Sequence, residues 1–202
     1  MSVEVSYYEN FQEIEKKIWL MLTNGVNNRN SPFRIPVFIC GEHSDFDGRI
    51  VVLRKADEVN RIVQFHSDIR SDKIKKLNNN KNASMLFYDK EEKIQARVKV
   101  DCIVNHDNDI TKKSWLKTQR ISRKCYLVDS APGTKSLKPT SGLKPELDNF
   151  EFTKDQSEIG YKNFTVIRCK VKSIEWLYLA AKGHRRAFLD YSGSEKYTWL
   201  VP

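Results

Sequence analysis

Short β-strand patterns separated by turn sequences constrain the fold of this chain more than any other feature. Five of them lie before residue 105, at 34–40, 48–54, 61–67, 83–89 and 94–104. The turn sequences SDFDG, KADEVN and DKEEK separate several of them. Three further strand-like segments, 164–179, 185–192 and 197–202, close the chain. Strands at this spacing, joined by hairpins, predict an antiparallel barrel.

Helical patterns flank and interrupt these strands. Apolar residues recur at offsets of three and four from Phe11 to Leu22, so residues 1–25 are predicted to form an amphipathic N-terminal helix. A short helix capped by Asp68 or Ser71 is predicted after the strand 61–67, and another helix over residues 110–126. Residues 129–160 are polar, contain three prolines and show no clean period, which predicts a long loop.

Composition limits the class of protein. The chain has 202 residues, of which 40% are hydrophobic, and this is enough for one folded domain over residues 1–202. Lysine and arginine number 35 against 26 aspartate and glutamate, a net charge of +9 that favours anionic partners. Since neither a signal peptide nor a membrane-spanning run is found, the prediction is a soluble, cytoplasmic protein without membrane contact.

Metal and disulfide chemistry are not indicated. The four cysteines are far apart and form no CxxC pair, and the four histidines show no HxxxH or HExxH spacing. No glycine-rich phosphate loop and no GxSxG nucleophile motif is present. No metal site is therefore predicted.

A phosphate site is indicated where the strand 61–67 runs directly into a helix. The N-terminus of that helix carries Ser71 and Lys73, and free N–H groups together with a lysine suit an anion. Arg49 and Arg54 lie at the two ends of the strand 48–54 and could likewise bind an anionic ligand that lies along the strand. Alternatively, Ser71 only caps the helix, Lys73 is solvated, and both arginines are ordinary strand-end charges.

Taken in order, the segments RIVVLR, FHSDIRSDK, ASMLFYD, IQARVKV and EWLYLAAKGHRRAF resemble the FMN-binding split-barrel family of pyridoxamine 5'-phosphate oxidase. The detailed sequence is more similar to a subgroup of FMN-binding relatives than to the oxidase itself. The resemblance implies a mostly β domain with flanking helices, an antiparallel six-stranded split β-barrel. It also implies FMN as cofactor and a homodimer that binds it at the subunit interface, with the strands of residues 164–202 completing the site.

The resemblance further implies a role for individual residues. Arg49 and Lys73 would bind the FMN phosphate, and Arg70 would replace an arginine that the oxidase carries where this chain has Asp72. The remaining residues that would contact the cofactor are Ile50, Val51, Val52, Leu53, Arg54, His66, Ser67, Ser71 and Gln95, with Trp176 and Arg186 supplied by the second subunit. His184 would be the catalytic residue, orienting the substrate or acting as acid or base, and Lys182 would face the substrate.

The helix after the fifth strand departs from the family pattern. Trp115 and Gln119 stand where the oxidase uses tyrosine and arginine to bind the vitamin B6 phosphate. Arg120 and Arg123 are therefore the candidate substrate ligands here, beside Trp115. Because this match is incomplete, conversion of pyridoxamine phosphate is less strongly indicated than flavin binding.

Three functions remain open at the level of sequence. The first is an FMN-dependent oxidoreductase with an unidentified small-molecule substrate, in which the flavin transfers the electrons. The second is a non-catalytic FMN carrier or sensor. The third is a basic β-barrel that binds nucleic acid, ranked last because the aromatic residues fall at apolar strand positions rather than beside basic ones.

Overall fold

A nine-stranded antiparallel sheet organises the residues that the computed structural model describes, 7–42, 44–148, 152–194 and 196–202. The strands are β1 (Val37–Glu42), β2 (Asp45–Ile50), β3 (Leu53–Asp57), β4 (Ile62–Asp68), β5 (Asn82–Asp89), β6 (Ile94–Asn105), β7 (Phe164–Tyr178), β8 (Arg185–Asp190) and β9 (Lys196–Leu200). Their order is β2-β1-β5-β6-β7-β4-β3, and β8 pairs with β7 and β9. The predicted class is confirmed, but the sheet has nine strands and not six.

One source of the extra strands is a break in the predicted strand 48–54. β2 ends at Ile50 and β3 begins at Leu53, so Val51 and Val52 connect the two strands at opposite ends of the order. The break follows from Pro36, which has no N–H and therefore cannot extend the pairing of β1 with β2. Its carbonyl instead accepts a hydrogen bond of 3.1 Å from the backbone N–H of Val51. The two-residue connection thereby joins both edges of the sheet into a barrel.

The second source of extra strands is the C-terminal region, where β7 pairs with two different strands along one of its edges. Its residues 164–170 pair with β4, whereas residues 173–178 pair with β8, and β6 runs along the opposite edge. β9 pairs only with β8 among the described strands. The hairpin β8–β9 therefore extends the sheet from β7, and Ala187 and Leu189 of β8 are buried in the core.

The N-terminal helix α1 (Phe11–Asn27) packs over the barrel; it begins at Phe11 and ends two residues beyond the predicted boundary at residue 25, and residues 1–6 of the predicted range lie outside the described residues. The side chain of Asn10 caps it by accepting a 3.1 Å hydrogen bond from the backbone N–H of Glu13. Ile14, Ile18 and Leu22 are fully buried in the core. Gly25 lets the following turn approach, since a Cβ there would lie 2.7 Å from the carbonyl of Phe33.

Helix α2 (Asp72–Asn79) follows β4 as predicted, but the predicted helix 110–126 is broken. It consists of α3 (Asp109–Lys117), α4 (Arg120–Arg123) and a 3-10 turn at Lys124–Tyr126. The predicted loop 129–160 is also not entirely irregular. It contains α5 (Pro145–Asp148) and α6 (Lys154–Glu158) and leads into a 3-10 segment, Ile159–Asn163.

Other 3-10 turns lie at Tyr7–Glu9 and Pro32–Arg34. Among the helices in the described ranges, none is long and apolar enough to cross a membrane.

Candidate cofactor and substrate site

Four side chains meet where β4 runs into α2. Lys73 Nζ donates hydrogen bonds to Ser67 Oγ (2.7 Å) and Ser71 Oγ (3.1 Å), and all three residues are buried. Ser71 is the N-cap residue, yet its hydroxyl accepts no hydrogen bond from a backbone N–H of the helix and instead donates one of 2.8 Å to the carbonyl of Asp68. With Arg49 from β2, these residues form a group that we call the clamp.

The clamp has more positive charge than its protein partners neutralise. Arg49 forms an ion pair with Asp47, but its Nε is buried and has no hydrogen-bond partner. Burial, and then the charge of Arg49, lower the pKa of Lys73 to about 8. A buried ammonium beside a guanidinium favours a bound anion, because the anion would supply the missing acceptors and charge.

Arg70, predicted to contact the phosphate, is bound elsewhere. Its Nε and Nη2 donate to the Asp68 carboxylate at 3.0 and 2.7 Å, and hydrogen bonding to that carboxylate raises the pKa of Arg70. Nη2 and Nη1 also donate to the carbonyls of Val128 (3.0 Å) and Asp129 (2.9 Å). Arg70 therefore ties the segment after α4 to the end of β4 and does not compensate for Asp72 in the clamp.

The connection from β2 to β3 alternates between core and surface. Val51 and Leu53 are buried in the core, whereas Ile50 is 64% exposed and Val52 is half-buried. Only Ile50 and Val52 thus offer side chains to a ligand on the outside of this connection. Val51 and Leu53 could contribute backbone groups alone.

Beyond this connection, Arg54 lines a cavity of about 680 Å³. The cavity lies between the end of α1, helix α3 and the strands β3, β4 and β7. Burial, followed by the nearby charge of Arg34, lowers the pKa of Arg54, and its Nε is buried without a partner. His66 also lines the cavity, and burial together with Arg54 lowers its pKa to about 3. The imidazole is therefore neutral at pH 7 and can bind through hydrogen bonds but not through charge.

The predicted substrate residues do not line this cavity. Arg123 is 2% exposed and donates to the carbonyls of Thr118 and Trp115, to Ser157 and to Glu158. Its guanidinium also lies 4.4 Å from the ring centroid of Trp115. Both residues belong to a packed cluster, which corrects the expectation that they face a substrate.

Arg120 is exposed and lies over the ring of Phe152, with 5.7 Å between guanidinium carbon and ring centroid. Gln119 does line the cavity, and its side-chain oxygen accepts a 3.1 Å bond from Arg29. Sequence reasoning also missed Lys113 and Lys117 as lining residues. Their spacing of four on α3, which places both on one helix face, is the signal that could have indicated them.

The C-terminal candidates lie apart from both the clamp and the cavity within one protomer. Trp176 is 0% exposed and belongs to the barrel core, so a ligand held by a partner chain cannot touch its side chain in this conformation. Arg186 pairs with Glu175 on the outward face, at 2.7 and 2.9 Å, and Gln95 is half-buried on the same face.

Lys182 and His184 are exposed between β7 and β8. His184 Nδ1 accepts a 3.1 Å bond from the backbone N–H of Ala180, which leaves Nε2 as the protonated nitrogen of the neutral ring. Across the described ranges, no group of three or more His, Cys, Asp or Glu side chains is placed to hold a metal ion.

Comparison with known proteins finds a family model that matches the central part of the chain. Residues 27–106, which include β1 to β6, α2 and the whole clamp, match the family model described as pyridoxamine 5'-phosphate oxidase, FMN-binding domain. The predicted family resemblance is confirmed. No curated protein matches the chain by sequence.

Two solved structures share the split-barrel fold over nearly the whole chain. One is a pyridoxamine 5'-phosphate oxidase-related, FMN-binding protein from Nostoc punctiforme, with a TM-score of 0.71 and 15% identity, covering 93% of this chain and 97% of that chain. The other is PhzG from Burkholderia lata, in complex with tetrahydrophenazine-1-carboxylic acid, with a TM-score of 0.71 and 17% identity, covering 100% of this chain and 99% of that chain. At these identities the likeness shows the fold alone.

Proposed function

We propose that the protein is an FMN-dependent oxidoreductase, with the cofactor's phosphate held by Arg49, Ser67, Ser71 and Lys73. The observation that carries this proposal is the buried clamp, in which Lys73 has no ion pair among the described residues and the Nε of Arg49 has no hydrogen-bond partner, while the nearby carboxylates of Asp47 and Asp68 are paired with Arg49 and Arg70. The match of this segment to an FMN-binding domain supports the assignment of the anion.

A phosphate monoester suits the clamp in both charge and hydrogen bonding. It carries nearly two negative charges near neutral pH, and its oxygens can accept bonds from an ammonium, a guanidinium and hydroxyl groups together. The N-terminus of α2 adds backbone N–H groups and the positive end of its dipole, because the Ser71 side chain does not occupy them.

When bound, FMN supplies the electron transfer, and the protein's part is to position the cofactor and the substrate. The exposed Ile50 and half-buried Val52 provide an apolar surface for the ring next to the clamp. Arg54 provides a positive charge at the far end of the connection. Neutral His66 can orient the cofactor or the substrate by hydrogen bonding. With a pKa of about 3, it is not protonated at pH 7 and does not act as a general acid.

The proposal includes a homodimer. The outward face of the sheet carries half-buried apolar residues on several strands, namely Val37, Ile39, Leu86, Leu177 and Phe188, of which Val37 and Leu86 are direct cross-strand partners. A second copy covering this face would remove their apolar surface from water. It would also bring Arg186, His184 and Lys182 of one chain to the other, where His184 would serve as the candidate acid or base.

The test is the visible absorption spectrum of the purified protein, followed by mass analysis of whatever is released on denaturation. We expect flavin bands and released FMN, and a Lys73→Ala variant should retain far less. Lys75→Ala is the matched control, because Lys75 lies on the same helix but is exposed. A colourless protein that takes up no added FMN, or equal loss in both variants, would contradict the proposal.

Catalysis needs a separate measurement, since retention of FMN alone also describes a carrier. Anaerobic addition of NADH or NADPH, followed by exposure to oxygen, should bleach the flavin bands and then restore them. Failure of every nicotinamide and candidate donor to reduce bound FMN would favour the non-catalytic carrier or sensor.

A further inference from the structure

The cavity beyond Arg54 is strongly basic. Seven of its lining residues are cations: Arg29, Arg34, Arg54, Lys55, Lys113, Lys117 and Arg168. The described lining includes no aspartate or glutamate. Lys55 pairs with Asp57, which lies outside the lining, at 2.8 Å. The other six have no ion pair among the described residues, so the cavity carries a net positive charge.

Two of the lining arginines, Arg34 and Arg29, are held in place by neutral groups. Arg34 Nη1 donates to the carbonyls of Gly25 (3.3 Å) and Val26 (2.9 Å), and Arg29 Nη2 donates to Gln119. Both lie near enough to Arg54 for their charges to lower its pKa further, after burial. Three guanidinium groups therefore lie close together, and the hydrogen bonds that position Arg29 and Arg34 leave their charge uncompensated.

The cations also come from separate elements that face one another. Arg29 and Arg34 follow α1, Arg54 is on β3, and Arg168 is on β7. Lys113 and Lys117 come from α3, whose Ser114 contacts Gln64 of β4 at 3.4 Å across the cavity wall. A ligand with one anionic group could satisfy one side of such an enclosure and would leave the other side repulsive. The volume of about 680 Å³ suits a small molecule.

We propose that this cavity binds a small polyanionic molecule, one that carries at least two separated carboxylate or phosphate groups. The cationic side chains would bind these groups from opposite walls, while Gln64, Ser114 and Gln119 would supply neutral hydrogen bonds. That this molecule is the substrate rests on the proposed flavin function, because Arg54 ends the connection along which the ring would lie. The binding itself does not depend on FMN.

The experiment is calorimetric titration of the purified protein, with its flavin content recorded, at constant ionic strength. The probes are citrate for carboxylates, pyrophosphate for phosphates, and acetate as the single-anion control. We expect citrate or pyrophosphate to bind at least tenfold more tightly than acetate. The tighter of the two identifies whether the cavity prefers carboxylate or phosphate groups.

Variants locate the binding. Arg168→Gln and the double variant Lys113→Gln, Lys117→Gln should each weaken binding of the preferred probe by about tenfold, the effect of losing one or two charged hydrogen bonds. Lys90→Gln removes the same charge from an exposed turn at the other end of β6 and should change nothing. Unchanged thermal unfolding of all variants would confirm that they fold.

Two outcomes overturn the proposal: no probe binds more tightly than acetate, or Lys90→Gln weakens binding as much as the cavity variants do. The flavin bands separate this inference from the proposed function. Polyanion binding by a colourless protein that takes up no added FMN would refute the FMN assignment and leave the cavity site standing, whereas FMN without polyanion binding would refute only the cavity site. In FMN-loaded protein, binding that leaves the flavin spectrum unchanged would refute the substrate role.

Discussion

The clamp and the cluster around Arg123 both bury a cation, and they do so in opposite ways. Arg123 donates to two carbonyls, a hydroxyl and the carboxylate of Glu158, and its plane faces Trp115. In the clamp, Lys73 donates only to two hydroxyls, and the buried Nε of Arg49 donates to nothing. Burial of charge alone therefore does not identify a binding site; the number of donors left without acceptors does.

The largest expected effect comes from removing the satisfied cation. Arg123→Met should lower the free energy of unfolding by about 3–4 kcal/mol, because the substitution breaks the hydrogen bonds that join α3, α4 and α6. Urea denaturation measures this loss. FMN retention by the folded fraction should be unchanged, and a loss of FMN without a loss of stability would reverse the comparison.

The next largest effect is a pH dependence of stability that Lys73 of the clamp should cause. The pKa of Lys73 is about 8 in the folded protein and 10.5 in the unfolded chain, so in between the unfolded state binds more protons. Stability of the FMN-free protein should therefore rise by about 3 kcal/mol as pH increases from about 8 to 10.5, relative to Lys73→Met. Chemical denaturation of both proteins across this range tests the sign. Bound phosphate should remove the difference, because an anion holds the ammonium protonated.

At constant pH, Lys73→Met should separate binding from stability. Affinity for FMN should fall about tenfold to a hundredfold, which corresponds to about 1.4–2.7 kcal/mol. The stability of the FMN-free variant should be equal to or greater than that of the parent, since an uncompensated buried charge is replaced by an apolar side chain. Fluorescence titration with FMN and urea denaturation give the two values. If the variant were less stable than the parent but bound FMN with the same affinity, Lys73 would have a purely structural role.

The smallest expected effect on stability comes from substituting Glu158, whose carboxylate accepts a hydrogen bond from Arg123. Although partial burial raises it, hydrogen bonds from Trp115 and Arg123 lower the pKa of Glu158 below its usual value. Glu158→Gln keeps the shape and one acceptor, so we expect a loss of only about 1 kcal/mol. The same contribution should be lost from the parent as pH falls through the pKa of Glu158. A pH-independent difference between parent and variant in acid would contradict this account.

The features that sequence predicts well are local ones. The α1 pattern, the strand-to-helix junction at Ser71 and the charge of Lys73 all lie within a few residues of one another and give a recognisable period or spacing. The end of β2 was missed because its cause is Pro36, on the paired strand. A strand that reads as continuous is interrupted by its neighbour's missing N–H.

Contacts between distant residues account for the other misses. Arg123 and Glu158 are 35 residues apart and look like independent surface charges in the sequence. Trp176 alternates correctly with its neighbours, but only the pairing of β7 shows that its face is the core. The basic cavity is lined by residues that are far apart in the sequence, from Arg29 to Arg168, so beyond the spacing of Lys113 and Lys117 on α3 no local pattern indicates that they lie together.

The two-residue connection at Val51 and Val52 has a mechanical consequence. Because it joins Arg49 to Arg54 through five nearly extended residue steps, it acts as a spacer of at most about 17 Å whose ends are anchored in different strands. A ligand that spans the clamp and the cavity must match that length. One inserted residue would shift the spacing and turn the side chains after it to the opposite face, so this short stretch sets the size of molecule the protein can accept.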